Sequence, residues 1–278
     1  MLRVALNCVL PATLLVSAAG LASAPVAAQS RPTDPQQAQP LQPTPADAAA
    51  RIKDLNKTLE TQFRETLQLV PEPTPETPKA EAVDRLSQRG DLQMFLAQFQ
   101  EAETSYRRMV ELDPALDTSH WRLGIACFFA QHPQAGADQF EKYHSFDSVD
   151  RENGIWRYFC HYRASGKEQA RKQLLRYETD DRPPFREVYQ LFQGTLSPEQ
   201  VLKAASDAPE AGRSSRLFYS HLYVGLNASL ENNRDAAIRS LQLATLNPWP
   251  ESAGYGPRYM WHVGRLELNR LNSQPPPK

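Results

Sequence analysis

Small residues recur at a nearly fixed interval from residue 102 onward. The recurring positions, 34 residues apart and 33 at the last step, are Ala102, Gly136, Ala170, Ala204 and Ala237. An interval of this length is typical of helical pairs stacked in a row, with each unit packing only on its neighbours. The spacing therefore predicts an all-α chain built from repeated units.

Two further positions recur in the same frame. Twelve residues before the small residue, three units carry a glycine: Gly90, Gly124 and Gly225. Four residues after it, four units carry a large apolar residue: Tyr106, Phe140, Leu174 and Leu241. The pattern resembles the tetratricopeptide repeat (TPR), a helix–turn–helix unit whose small residue lets the two helices pack closely. The resemblance implies a right-handed TPR-like helical solenoid with a C-terminal capping helix. An ordinary helical bundle with chance spacing is the alternative.

The first 28 residues have the pattern of a secretory signal peptide. An apolar run from Val9 to Leu21 is too short to span a bilayer as a free helix, and the small residues ending at Ala28 suit a signal peptidase. The pattern predicts export to the periplasm or cell envelope. The alternative is a short membrane anchor that is kept.

A linker with one helix follows the signal. Residues 29–80 are rich in Pro and Gln, which predicts a linker, and an amphipathic helix is predicted at 47–70. The apolar stripe of this helix consists of Ile52, Leu55, Leu59, Phe63 and Leu67. Because an isolated helix of this length is marginal in water, we expect it to dock on the repeats or pair with another copy, rather than catch another protein. The solenoid of about five units is predicted over 81–272, and a disordered tail over 273–278.

Two helix ends can be predicted in the second half of the chain. Ser197, followed by Pro198 and by Gln200, predicts a helix start with a capping box. The last helical segment, 258–271, is expected to cover the open end of the stack, with Arg265, Glu267 and Arg270 facing water.

The sequence carries no pattern that indicates catalysis, a metal or nucleic acid. The net charge is −1, and no basic patch stands out, so nucleic acid is not an expected partner. His120, His132 and His144 are twelve residues apart, which does not place them together on one helix face. Asp180 and Asp181 are interpreted as a solvated turn. Without a phosphate loop, a serine elbow or paired metal-binding cysteines, we predict no enzyme activity, no cofactor and no metal.

Two cysteines remain after the predicted signal. Cys127 and Cys160 lie on the first helices of adjacent predicted units. Neighbouring helix axes are ~8–10 Å apart, whereas bridged Cα atoms need ~4.4–6.8 Å. Buried free thiols are therefore favoured over a disulfide.

The segment from Trp121 to Pro248 resembles the NlpI family of periplasmic TPR lipoproteins. The resemblance is carried by His120–Ala126, by the degraded unit around Ile155–Tyr158, and by the shortened unit at Gly194–Leu202. It implies a non-catalytic adaptor that forms a homodimer and brings together peptidoglycan hydrolases or proteases. The chain departs from the family at its N-terminus. Cys8 precedes most of the apolar run, which puts the family's lipid anchor in doubt.

TPR proteins bind partners on a concave face lined by their first helices, and the same positions can be assigned here. These groove residues, the candidate partner-binding site, are Phe95, Trp121, Ile125, Phe128, Phe129, Ile155, Phe159, Tyr162 and Arg163. Clustered aromatic residues and arginine are typical of binding hot spots. The alternative is that they belong to the core.

Two functions therefore remain open from the sequence. The first is an exported TPR adaptor that binds other cell-envelope proteins through this groove. The second is a structural, self-assembling envelope protein whose groove is filled by its own N-terminal helix or by another copy.

Overall fold

The chain forms packed helices throughout the part that the structure describes. The structure is a computed structural model, and it describes residues 45–179 and 181–274. Within these ranges all regular elements are helical and no strand occurs, so the all-α prediction is confirmed. The predicted signal peptide and most of the tail lie outside the described residues. The α-helices are α1 (Pro45–Leu69), α2 (Lys79–Phe95), α3 (Phe99–Leu112), α4 (Trp121–Phe129), α5 (Pro133–Phe146), α6 (Arg151–Ser165), α7 (Lys167–Lys172), α8 (Phe185–Gln193), α9 (Pro198–Ser206), α10 (Arg213–Leu230), α11 (Arg234–Thr245), α12 (Trp249–Ser252) and α13 (Tyr255–Ser273), with a 3₁₀ helix at Pro114–Ser119.

Three helix pairs share one packing contact. In each, a glycine of the first helix faces a large side chain of the second, 16 positions later. A methyl group added to the glycine would clash with that side chain at less than 3 Å. The pairs are Gly90 with Tyr106, Gly124 with Phe140, and Gly225 with Leu241. The glycines are therefore required where two helices approach most closely.

The small residues of the 34-residue frame are buried, with one exception. Ala102, Ala170 and Ala237 are fully buried, but Ala204 is exposed, and its neighbour Ala205 is buried instead. The frame is wrong by one position here, because the interval from Ala170 to the next buried alanine is 35 residues instead of 34. The predicted capping box fixes the start of α9: Ser197 Oγ accepts from the Gln200 backbone N–H at 3.3 Å, and Gln200 Oε1 accepts from the Ser197 N–H at 2.8 Å.

Helix α13 does more than cover the end of the stack, because it reaches the first helix pair. Arg265 donates from Nη2 to the Phe95 carbonyl of α2 at 2.8 Å, and the Tyr259 hydroxyl lies 3.3 Å from that of Tyr106 on α3. Arg265 and Glu267 are each only 3 % exposed. The expectation that these two face water is wrong, since Arg265 donates to α2 and Glu267 accepts from Ser229 of α10.

Helix α1 docks on its own chain. Ile52 is buried, and the Phe63 ring lies 5.5 Å from the Phe95 ring and 5.3 Å from the His262 ring. Arg265 also donates to Asn56 Oδ1 at 2.9 Å. The apolar stripe of α1 thus packs against α2 and α13, as docking on the repeats would require. No described helix combines the length and the apolar character needed to cross a bilayer.

The two described cysteines are free and buried, as predicted. Gly136 lies between them: a methyl group there would meet Cys160 Sγ at 2.8 Å and Cys127 Cβ at 3.5 Å. Burial raises the pKa of the Cys127 thiol to about 12. Both cysteines therefore act as small apolar side chains.

Candidate binding cleft

A cleft of about 570 Å³ opens where several helices begin. It lies between the starts of α4, α6, α10 and α13, the α5–α6 turn and the loop before α8. We call it the acidic cleft. Its aromatic walls are Trp121, Tyr143, Trp156, Tyr219 and Trp249, its charged residues are Asp147, Asp150, Glu152 and Arg182, and its other lining residues include Ile125, Phe140, Asn153 and Met260. Its volume lies within the range typical of ligand sites, roughly 300–1,000 Å³.

The α5–α6 turn places two of the carboxylates. Asp147 Oδ1 accepts from the backbone N–H groups of Val149 and Asp150, at 3.0 and 3.2 Å. Asp150 is the N-cap of α6, and its Oδ1 accepts from the Glu152 N–H at 3.0 Å. The N-cap position favours Asp150, because its carboxylate accepts from an unpaired N–H group and offsets the dipole of α6. Asp147 instead stabilises the turn, because an aspartate side chain readily accepts from backbone N–H groups two and three residues later. Local backbone chemistry thus accounts for where Asp147 and Asp150 stand.

Glu152 has a different environment, because it lies deeper and has no capping role. Its Oε2 accepts from Arg182 Nη2 at 2.5 Å, and its Oε1 accepts from the Tyr223 hydroxyl. Burial raises the pKa of Glu152 to about 7, although Arg182 acts in the opposite direction. The charge of this carboxylate therefore changes near neutral pH.

Arg182 is the only cation among the lining residues described. Besides Glu152, its guanidinium reaches Asp181 Oδ1 at 3.1 Å and Asp150 Oδ1 at 3.5 Å. Its Cζ lies 4.3 Å from the centre of the Phe185 ring. Burial lowers the pKa of Arg182, but the three carboxylates outweigh burial and raise it above the ordinary value. The Arg182 guanidinium is therefore paired with the carboxylates of Glu152, Asp181 and Asp150.

The walls of the cleft are held by ring contacts. The Trp121 ring packs edge-on to Tyr259 at 4.8 Å, and the Tyr219 ring packs edge-on to Trp249 at 5.6 Å. Asn153, on the inner side, is 3 % exposed. Its amide nitrogen donates to the Phe140 carbonyl at 3.2 Å, while its Oδ1 accepts no hydrogen bond from a described residue.

Exposed apolar residues flank the mouth of the cleft. Phe146 is 61 % exposed, and Val149 and Tyr255 are each 36 % exposed. We call these three residues the apolar rim. Phe146 and Tyr255 line a smaller cavity of about 250 Å³ that shares Trp121 and Tyr143 with the acidic cleft. Cleft and rim therefore form one continuous surface.

The structure places most of the groove residues inside the core. Five of them are buried: Ile125, Phe128, Phe129, Ile155 and Phe159. The other four, Phe95, Trp121, Tyr162 and Arg163, are half-buried. Of all nine, Trp121 and Ile125 line the acidic cleft.

Later helices explain why the expected open groove is absent at these positions. Phe159 contacts Phe192 of α8 at 5.3 Å and Tyr223 of α10 at 6.3 Å. Phe95 stacks on His262 of α13 at 4.0 Å, and Arg163 lies over the Phe128 ring at 3.7 Å. The five buried residues therefore belong to the core, which is the alternative that the pattern left open.

Sequence reasoning missed most of the acidic cleft. Its residues come from separate segments, and the loop that carries Arg182 has no periodicity. The interpretation of Asp181 as a solvated turn is wrong: its side chain is 9 % exposed, and its Oδ2 accepts from the Arg151 backbone N–H at 3.1 Å. Asp180 lies outside the described residues. The available signal was the unusual density of acids at Asp147, Asp150 and Glu152, beside the aromatic residues Tyr143, Phe146 and Trp156.

Comparisons with known proteins identify no family for this chain. No protein-family model matches the chain, and no curated protein matches it significantly. Within residues 45–179 and 181–274, no group of three or more His, Cys, Asp or Glu side chains is placed to hold a metal ion. What the cleft offers a ligand is aromatic surface, negative charge and an exposed apolar margin.

Proposed function

We propose that the protein is an exported, non-catalytic TPR-like adaptor that binds a segment of another cell-envelope protein in the acidic cleft. The observation that carries the proposal is the cleft itself: six aromatic side chains, Phe140 among them, line about 570 Å³ of space beside an exposed apolar rim. Aromatic residues concentrated in a concave site are what binding hot spots use.

The repeated packing contact supports the TPR-like part of the proposal. Three helix pairs use a glycine and a large residue 16 positions later at their closest approach, and chance spacing in a bundle gives no reason for the same offset three times. The apolar run and cleavage pattern of residues 1–28 support export. An exported protein meets other proteins of the cell envelope, so these are the partners that we propose.

A binding role also fits the state of the carboxylates. Asp147 and Asp150 accept backbone hydrogen bonds, and Glu152 is held by Arg182 and Tyr223. A general acid or base has to reach the proton that it transfers, whereas these groups are fixed by the fold. They are better suited to provide a fixed electrostatic field.

The self-assembly alternative is less well supported. In the form that fills the groove with the chain's own N-terminal helix, α1 would occupy the binding surface. Helix α1 does contact one groove residue, because Phe63 lies against Phe95 as well as against His262. It does not line the acidic cleft, because all described lining residues of that cleft stand at or beyond Trp121. The cleft therefore stays open to a partner while α1 is docked.

Affinity capture from an envelope extract tests the adaptor function with a matched pair of variants. Phe146→Ser removes an exposed side chain of the apolar rim. Leu69→Ser removes an apolar side chain that is 81 % exposed at the end of α1. Neither residue is in the core, so both variants should melt like the wild type. We expect a specific partner that is retained by Leu69→Ser and lost with Phe146→Ser. Equal capture by both variants, or no specific partner, would contradict the proposal.

A further inference from the structure

We infer that the acidic cleft takes a basic side chain, arginine or lysine, from a partner segment whose neighbouring apolar residues rest on the apolar rim. This inference rests on the proposed adaptor function and specifies the chemistry of the segment. The carboxylates, the aromatic walls and the apolar rim each support a separate part of it.

Charge is unbalanced in the cleft. Three lining carboxylates, those of Asp147, Asp150 and Glu152, face the single guanidinium of Arg182. Arg182 is also shared with Asp181, outside the lining. A second cation would neutralise part of the negative charge that Arg182 alone does not neutralise. A partly buried carboxylate is stabilised by an opposite charge within about 4–6 Å.

The walls suit the body of a basic side chain. Cations bind over the faces of Trp and Tyr rings, and tryptophan is the strongest partner. The lysine and arginine stems are also apolar, so they can lie along aromatic surface while the charged head reaches the acids. Trp121 and Trp249 are half-buried and line the same space as the carboxylates. Trp156 also lines this space, but it is only 2 % exposed and packs on Phe128 and Phe159, so the two half-buried tryptophans are the ones that can offer a ring face.

The planar fork of arginine suits a site with several carboxylates. A guanidinium offers five N–H donors in one plane, so arginine can donate to more than one of the lining carboxylates at once, whereas a lysine ammonium acts as a point charge. For this reason we expect arginine to bind more tightly than lysine.

The rim indicates a peptide rather than a small amine. A free amine would use the carboxylates and the walls, but it would leave Phe146, Val149 and Tyr255 exposed. Phe146 and Tyr255 line the smaller cavity, which shares Trp121 and Tyr143 with the acidic cleft. Val149 stands between the cleft residues Asp147 and Asp150 in the sequence. A segment with apolar residues beside the basic one would cover both.

Capped pentapeptides test the inference by tryptophan fluorescence and calorimetry at pH 8, where Glu152 is ionised. The reference peptide has a central arginine between leucines. In one comparison peptide, uncharged citrulline replaces the arginine, and in another, glycines replace the leucines; agmatine serves as the small amine. We expect the reference peptide to bind at least about tenfold more tightly than the citrulline and glycine peptides, and agmatine to bind more weakly than the reference.

Variants locate the effect in the cleft. Glu152→Gln and Asp147→Asn each keep the size of the side chain and remove a charge, and both should weaken binding of the reference peptide. Glu111→Gln is the matched control, because Glu111 is exposed on α3 and away from the cleft. Affinity should also fall as the pH drops through about 7. Glu152 then takes up a proton beside Asp150, Asp181, Arg182, Tyr219 and Tyr223, the charged and titratable groups around it.

Each contrary result has a distinct meaning. Equal binding of the arginine and citrulline peptides, or no peptide binding at all, would overturn the inference. The adaptor proposal would survive if an envelope protein were still captured in a Phe146-dependent way. Agmatine binding as tightly as the reference peptide would show a small-amine site and also overturn it. A peptide that binds as inferred, with no envelope protein captured, would count against the adaptor alone.

Discussion

The Tyr255 hydroxyl donates to Asp91 Oδ2 at 2.6 Å across 164 positions of sequence. Asp91 belongs to α2, in the first helix pair, and Tyr255 is the first residue of α13, the last helix. Arg122 of α4 joins them, donating from Nη1 to Asp91 Oδ1 at 2.7 Å and to the Tyr255 hydroxyl at 2.9 Å. Helices α2 and α13, which are far apart in the sequence, therefore contact each other directly, whereas an open solenoid would hold its first and last helices apart.

Tyr255→Phe should lower the free energy of unfolding by about 1–2 kcal/mol, because Asp91 and Arg122 each lose a partner in a half-buried site. Tyr162→Phe is the control, since the Tyr162 hydroxyl makes no hydrogen bond to another described residue and its loss should be nearly neutral. Urea unfolding of both variants measures the difference. Equal stability of the two would show that the closing contact does not contribute to folding.

Gly124→Ala should destabilise the protein by roughly 1–3 kcal/mol, because the added methyl would meet the Phe140 ring at 2.6 Å in a packed core. Gly256→Ala places a methyl in a helix with nothing within 4 Å. That control should be neutral or slightly stabilising, since alanine favours helix more than glycine. Thermal unfolding with a lower Tm for the Gly256 variant than for the Gly124 variant would contradict the assigned packing.

Glu152→Gln should change how stability depends on pH. In the folded state the pKa of Glu152 is raised from 4.5 to about 7, so the folded protein holds this proton more tightly than the unfolded chain. Raising the pH from about 4.5 to 7 ionises the unfolded state first and lowers the free energy of unfolding. The glutamine variant lacks this contribution.

The wild type should therefore lose up to about 3 kcal/mol more than Glu152→Gln over that interval. Urea unfolding of both proteins at four pH values between 4.5 and 7.5 measures the difference, in which the other titrating groups largely cancel. Parallel curves would show that Glu152 titrates normally.

Deleting residues 29–78 should destabilise the protein without removing cleft binding. The deletion uncovers Phe95 and His262, which contact Phe63, while every residue that lines the acidic cleft is kept. Peptide titration, with light scattering for the molar mass, reads out both effects. Lost cleft binding, together with a change in molar mass, would instead favour the self-assembling alternative.

The sequence predicted those features that depend on local periodicity. The helical class, the recurring positions of Gly124 and Phe140 and the capping box at Ser197 each follow from residues close together in sequence. The contact between Gly124 and Phe140 was found only in the structure. The position of Ala204 was wrong because the interval after Ala170 is one residue longer than the period, which places Ala205 in the core instead. The buried thiol of Cys127 was predicted correctly from the spacing of neighbouring helices.

Contacts between helices that are far apart in the sequence could not be predicted in the same way. Phe159 is at a position that would face a groove in an open array, but α8 and α10 cover it. Arg265 has the sequence pattern of a solvated face, yet α13 carries it to the Phe95 carbonyl. The acidic cleft depends on contacts of the same kind, because Glu152, Arg182 and Trp249 come from separate segments of the sequence and meet only in the folded chain.

Hydrogen exchange of the protein with and without its captured partner tests the central claim most directly. If the acidic cleft and apolar rim bind the partner, protection should concentrate in residues 143–156 and 249–257, with little change in α9 or α11. Protection confined to α9 or α11, with residues 143–156 unaffected, would show that the partner binds elsewhere and would contradict the account.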